Sequence, residues 1–141
     1  MKYLIDTYIF LWLLFSPSKI PNKVLALLAS SDCELYICSI SFWEIALKFN
    51  LGKLDLSGVL PDELPSYARK MNITIVNMKA EELASFYLLP KPQQHKDPFD
   101  RAIIWMCLQH DYTLVSKDQQ MDSYQQAGLK LLPFNVTANE D

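Results

Sequence analysis

Four carboxylates in this sequence stand at places where chemistry, rather than solvation alone, accounts for them: Asp6, Glu44, Asp100 and Asp118. Asp6 closes the apolar run Tyr3-Leu4-Ile5, and Glu44 comes shortly after a second β-rich segment. Asp100 opens a long apolar stretch, and Asp118 follows Leu114-Val115. Two carboxylates about 4 Å apart repel by roughly 4 kcal/mol at an effective dielectric near 20, so four gathered in one cleft need a cation to stay ionised. An all-oxygen donor set without a His or Cys cluster selects Mg²⁺ or Mn²⁺ over zinc. A water made more acidic by such a cation and oriented by a carboxylate can attack a phosphodiester in line.

Each acid also has a purely structural reading. Asp6 can cap a following helix, although a carboxylate within an apolar strand-to-helix segment is costly unless it is paired or bound to a cation. Ser41-Phe42-Trp43-Glu44 fits the S-x-x-E capping box, which explains Glu44 without any site. Asp97 makes a natural N-cap with Pro98 at the first helical position, which leaves Asp100 one turn in and aimed at the cleft. Asp118 can cap the last helix, and Asp122 is either an auxiliary acid or a solvated one. His95 and His110 read as surface or loop residues rather than ligands.

The elements that must position these acids alternate. Residues 3–5 read as a buried strand, 8–14 as a helix, and Pro21 as the first helical residue of a segment whose apolar face is Val24, Leu25, Leu27 and Leu28. A second strand at 35–40 runs into a helix that opens at Ser41 and stops at Gly52. A turn-rich stretch at 55–65 precedes helical spacing at 65–71, a strand at 73–76 and a helix at 80–87. The proline-containing loop 90–98 leads to a helix over 99–110, a strand at 113–115, a helix at 118–127 and a possible fifth strand at 129–132. Strands separated by helices pair in parallel through right-handed crossovers. The expected fold is therefore one α/β domain over residues 1–141, three layers deep, with a central parallel sheet of four to five strands. In such sheets ligands bind beyond the carboxyl ends of the strands, the edge where all four acids fall.

Composition narrows the setting. Half of the 141 residues are apolar, 12% are aromatic and only three are glycine, which excludes disordered and low-complexity classes. A net charge of −3 argues against a broad basic face for nucleic acid, so bound cations, with local help from Arg69-Lys70, would have to attract a polyanion. Cys33, Cys38 and Cys107 have neither CxxC nor zinc spacing and read as buried small apolar residues in a reducing compartment. The apolar run 9–15 is far short of the ~20 residues that span a bilayer, and no small-residue cleavage site follows it. A cytoplasmic location is the expectation.

Four stretches in the same order carry a specific likeness: residues 1–7 (MKYLIDT), 39–48 (SISFWEIALK) with Gly52-Lys53-Leu54, 95–101 (HKDPFDR) and 114–118 (LVSKD). Together they resemble PIN-domain proteins of the VapC toxin type. The resemblance implies a metal-dependent RNA endonuclease, the toxin of a toxin-antitoxin pair, with Mg²⁺ or Mn²⁺ held by Asp6, Glu44, Asp100 and Asp118. Thr7 and Ser116 match family hydroxyl positions beside the site, and Ser41 either joins them or only caps its helix. Arg101 would steady the site by pairing with Asp97, or form a surface ion pair with no such role. Relatives often dimerise and are silenced by a small antitoxin packed into a hydrophobic groove, a surface that Phe10, Trp12, Phe42, Trp43 and Phe49 would supply unless they are core. One departure is Tyr8, where relatives often carry a small polar residue or histidine. A non-catalytic PIN-like module that binds RNA or protein is the alternative, and retention of four mutually repelling acids argues against it. A phosphotransfer protein of the receiver or haloacid-dehalogenase kind fits less well, because Asp6-Thr7-Tyr8 lacks the second aspartate of the latter and no late lysine suits the former.

Overall fold

The computed structural model describes residues 1–90 and 97–134; His95 and most of the 90–96 loop lie outside them. Strands β1 (Lys2–Ile5), β2 (Glu34–Cys38), β3 (Ile73–Val76), β4 (Thr113–Val115) and β5 (Lys130–Leu131) form one parallel sheet in the order β3-β2-β1-β4-β5. Parallel neighbours need long crossovers. These carry α1 (Thr7–Phe15), α2 (Asn22–Leu28), α3 (Ser39–Asn50), α4 (Leu64–Lys70), α5 (Ala80–Ala84) and α6 (Pro98–His110).

Strand periodicity divides the interior into two cores. Tyr3 and Ile5 of β1, Ile37, Ile73 and Val115 face one side, packing with Ile9 and Phe10 of α1, Ile45 of α3 and Leu64 of α4. Leu4, Cys38 and Leu114 face the other, against Ile103, Ile104 and Met106 of α6. β1 is central, with Ile5 opposite Ile37 on one flank and Val115 on the other, which is why its interior positions are all apolar. The sheet thus lies between two helical layers, as the sequence pattern implies. From β1 the chain runs outward through β2 and β3, then returns to the opposite flank for β4 and β5. The carboxyl ends of β1 and β4 therefore border the point where strand order reverses, the usual location of a ligand crevice in such sheets.

Several local expectations change. β2 ends at Cys38 and α3 starts at Ser39, capped by Cys38 without a side-chain bond, so the helix does not open at Ser41 and the Ser41/Glu44 capping box does not exist. The apolar run simply passes from strand into helix with no polar cap to mark the change. Gly52 does end the segment, at φ +72°, with its N–H donating to the Phe49 carbonyl. Pro21 is the N-cap of α2 rather than its first residue. The helix expected at 80–87 splits into α5 and a 3₁₀ turn, Phe86–Leu88. The last helix is 3₁₀ over Gln119–Ala127, and its buried Met121 and Tyr124 stand three residues apart, the repeat of that helix. Of the aromatics considered for a docking surface, Phe10 is wholly core, Trp12 and Phe42 are half-buried, and Trp43 is 61% exposed. Cys38 and Cys107 are buried free thiols and Cys33 is half-buried. Among the described residues no helix is long and apolar enough to cross a membrane.

Candidate active site

Asp6 follows β1 at the centre of the carboxyl edge. Its backbone N–H donates to the Val115 carbonyl at 3.1 Å, and its Oδ1 caps α1 by accepting from the Ile9 N–H at 2.9 Å. The Ser116 hydroxyl, just past β4, also hydrogen-bonds the Asp6 carboxylate. Even so, burial pushes the Asp6 carboxyl up from 3.8 to about 7, against those hydrogen bonds, and the nearby Asp100 and Glu44 charges add to the rise. Capping is thus real, but it leaves a carboxylate buried beside two others.

Glu44 lies on the first turns of α3 and is 1% exposed. Its Oε2 accepts from Lys48 Nζ, one helical turn on, at 2.5 Å. Its Oε1 is buried with no hydrogen-bond partner. A buried carboxylate oxygen left without a donor is costly, and a hard cation is the kind of group that satisfies it. Lys48 Nζ also donates to the Tyr8 hydroxyl at 3.0 Å. Burial disfavours the Lys48 charge, but the bonds to Glu44 and Tyr8 outweigh it and hold the ammonium well above the usual lysine range. Thr7 and Ser41 meet behind these acids, Thr7 Oγ1 donating to Ser41 Oγ at 2.9 Å in a buried contact that ties α1 to α3. Ser41 is therefore a strut between helices rather than a cap.

On α6, Asp97 is the N-cap, its Oδ1 accepting from the N–H groups of Phe99 (2.9 Å) and Asp100 (3.1 Å), with Pro98 at the first helical position. That leaves the half-buried Asp100 near enough to Asp6 to raise its carboxyl. Arg101 does not pair with Asp97. It is 8% exposed and turned inward, donating to the Tyr124 hydroxyl at 3.0 Å and to the carbonyls of Pro90 (3.3 Å) and Leu89 (3.4 Å). It is the next residue after Asp100, and on a helix consecutive side chains point in different directions. Arg101 is a fold residue that anchors α6.

Asp118 is exposed and caps the last helix, accepting from Gln120 N–H at 2.9 Å, while its own N–H donates to Ser116 Oγ at 3.0 Å. Ser116 thus links Asp118 to Asp6. Asp122 is exposed and lines a neighbouring cleft with Ser116, Lys117 and Asp118. His110 reaches Glu82, on the far side of α6, and takes no part.

A cleft of about 480 Å³ opens above Asp6, lined by Tyr8, Ile9, Trp12, Lys117, Asp118 and Gln119. It sits at the strand-order reversal between β1 and β4. Among the described residues no three His, Cys, Asp or Glu side chains are gathered closely enough, as they stand, to enclose a metal ion. As they stand, Lys48 holds one Glu44 oxygen, and Asp118 caps its own helix. The donor chemistry nevertheless suits a hard divalent cation, with an orphaned Glu44 oxygen and an Asp6 carboxyl burdened by its neighbours. Lys48 and Lys117 were not singled out from the sequence. Lys48 carried a usable signal, its place four residues after Glu44, where a helix brings opposite charges together.

The PIN domain family matches the chain over residues 3–126. No curated protein matches it in sequence. Among solved structures, it is similar to a chain of VapBC2 from Rickettsia felis bound to a DNA fragment from their promoter, at 17% identity and a TM-score of 0.66, covering 96% of this chain and 100% of that one. It is similar also to a chain of VapBC-1 from nontypeable Haemophilus influenzae, at 15% identity and a TM-score of 0.62, covering 94% and 97%. A toxin-antitoxin complex from Klebsiella pneumoniae matches at 15% identity and a TM-score of 0.58, covering 95% and 99%. At these identities the likeness speaks for the fold.

Proposed function

This chain belongs to the PIN-domain family of nucleases, and from that premise we propose that it is a divalent-metal-dependent endoribonuclease, the toxin of a toxin-antitoxin pair. The observation that carries the reading is the buried, unpartnered Oε1 of Glu44 beside an Asp6 carboxyl raised by Asp100 and by Glu44 itself. The α1 cap and the Lys48 pair use only part of these carboxylates, and a cation would relieve the rest.

Asp6, Glu44 and Asp100 would hold Mg²⁺ or Mn²⁺, with Asp118 joining from the rim by turning away from the Gln120 N–H. Bound there, the cation supplies neutralisation of a phosphodiester's charge and acidifies a water. The chain's own residues do the rest. Ser116 and the Ile9 N–H hold the Asp6 carboxylate, which lines the cleft. Lys48 occupies Glu44 Oε2, which leaves Oε1 as the donating atom. The Thr7–Ser41 hydrogen bond keeps α1 and α3, and hence Asp6 and Glu44, in register. Closing the set on a cation would require side-chain rotation at Asp118, which now caps its own helix.

The antitoxin reading is supported by relatives that are toxin-antitoxin complexes and by exposed apolar residues such as Trp43, which also suit a homodimer contact. The test is cleavage of a mixed RNA pool by the purified chain, with Mg²⁺ or Mn²⁺ and with EDTA, beside Asp6→Asn. Cutting that needs metal and is lost in the variant supports the reading. A folded, partner-free wild type that cuts no RNA with either metal would favour the binding module.

A further inference from the structure

The unused hydrogen-bonding capacity of the site comes in two signs. Glu44 Oε1 is a buried acceptor without a donor. Tyr8 supplies the opposite. An ammonium group only donates, so the phenol oxygen accepts from Lys48 Nζ at 3.0 Å and its own proton must point elsewhere. Among the described residues no side chain or carbonyl accepts that proton. Tyr8 is 43% exposed and lines the cleft together with Asp6. Its ring is held at two points, by the hydroxyl and by its face, 5.1 Å from the same Lys48 ammonium.

Lys48 stands between the two, holding the Tyr8 oxygen and Glu44 Oε2 at once, so the phenol is two hydrogen bonds from the carboxylate. Free donor and free acceptor therefore share one site without satisfying each other. The acceptor calls for a cation, and a donor facing the cleft calls for an anion. A phosphodiester seated against a bound cation answers both. Stapling α1 to α3 does not account for the phenol contact, because the buried Thr7–Ser41 hydrogen bond already makes that join one residue away.

We propose that the Tyr8 hydroxyl is a catalytic residue of this chain, donating a hydrogen bond to a non-bridging oxygen of the scissile phosphodiester. Lys48 is the positioning residue that aims it while fixing Glu44. The proposal rests on the ribonuclease reading and adds to it a neutral donor that none of the acids can supply. No proton is transferred in this step: the phenol keeps its hydrogen and shares it with the phosphoryl oxygen. A donor fixed before the phosphate arrives needs no reorganisation as charge shifts among the phosphoryl oxygens, which is what makes it useful to the reaction.

The test is Tyr8→Phe, which keeps the ring and removes only the hydroxyl. The purified variant should melt as wild type does and take up Mn²⁺ equally well, read by the paramagnetic resonance of the free ion. Its kcat/KM for RNA cleavage with Mn²⁺ should fall by about 10- to 150-fold, the loss of one hydrogen bond to a charged group. A substrate with a single phosphorothioate at the cut site then locates the contact. Sulfur accepts hydrogen bonds weakly, so for one of the two diastereomers the Tyr8→Phe penalty should shrink to about 3-fold or less. Adding Lys48→Met to Tyr8→Phe should cost less than Lys48→Met alone, because both act through one contact. Fully additive losses would overturn the part given to Lys48. A Tyr8→Phe variant that cuts like wild type, or a penalty equal for both diastereomers, would overturn the proposal and leave the nuclease standing. A loss that comes with weaker Mn²⁺ uptake would make the hydroxyl a support of the metal site and would overturn it too. Wild type that cuts no RNA would overturn the ribonuclease reading and this role with it.

Discussion

Asp6→Asn should make the metal-free protein more stable while removing its activity. The wild-type carboxyl is raised from 3.8 to about 7, chiefly by burial and then by Asp100 and Glu44. Three units at about 1.4 kcal/mol each mean that ionised Asp6 costs on the order of 4 kcal/mol in the folded state. The folded protein holds this proton more tightly than the unfolded chain, so wild-type stability falls as pH rises from 3.8 towards 7 and levels off above. Asparagine carries no charge to desolvate and caps a helix about as well as aspartate, so the Ile9 N–H keeps its acceptor. Some of the gain is lost because the Ser116 hydroxyl bonds an amide less strongly than a carboxylate. The net expectation is a gain of about 2–4 kcal/mol above pH 7, or a melting temperature higher by roughly 10 °C. Thermal unfolding followed by circular dichroism in EDTA across this range measures it. The difference should shrink towards zero as pH drops to 3.8. Added Mg²⁺ should then stabilise wild type and leave the variant unmoved. A variant less stable than wild type above pH 7, or a difference that ignores pH, would refute the reasoning.

Two further substitutions separate site from scaffold. Lys48→Met removes the partner of Glu44 Oε2 and leaves a buried charge alone; discounted for the partial exposure of Lys48, the loss should be about 2 kcal/mol in EDTA, recovered with Mg²⁺. An unchanged urea midpoint would show that the pair does not hold Glu44. Arg101→Met should cost about 3 kcal/mol with or without metal, since it strips donors from the Tyr124 hydroxyl and from two carbonyls. Recovery of that loss by Mg²⁺ would place Arg101 in the site after all.

Much of the fold is legible because parallel strands buried on both faces write continuous apolar runs, and the helices between them carry their own period. The same feature hides the β2–α3 junction. Residues 35–40 are apolar or small throughout, so the nearest polar cap pattern, Ser41 to Glu44, attracts the helix start two residues too late. Asp6 is readable because a carboxylate ending a central strand is costly without a reason. Asp97 and Pro98 are readable because their cap geometry is local. Arg101 is not, because a charged residue four positions from Asp97 looks like a surface pair, and only the tertiary path of the chain shows the Tyr124 hydroxyl waiting for it. The Tyr8–Lys48 contact joins residues 40 positions apart and has no counterpart in any window of sequence.

The central claim is that these acids hold a divalent cation. A Mn²⁺ titration of the purified chain, followed by the electron paramagnetic resonance signal of the free ion, tests it without reliance on any substrate. Wild type should take up Mn²⁺. Asp6→Asn and Glu44→Gln should bind at least 10- to 100-fold more weakly, about the loss expected even for residues that only support a metal's ligands. Asp32→Asn, an exposed acid before β2, should match wild type. Uptake that is absent in wild type, or equal in all four proteins, would contradict the account.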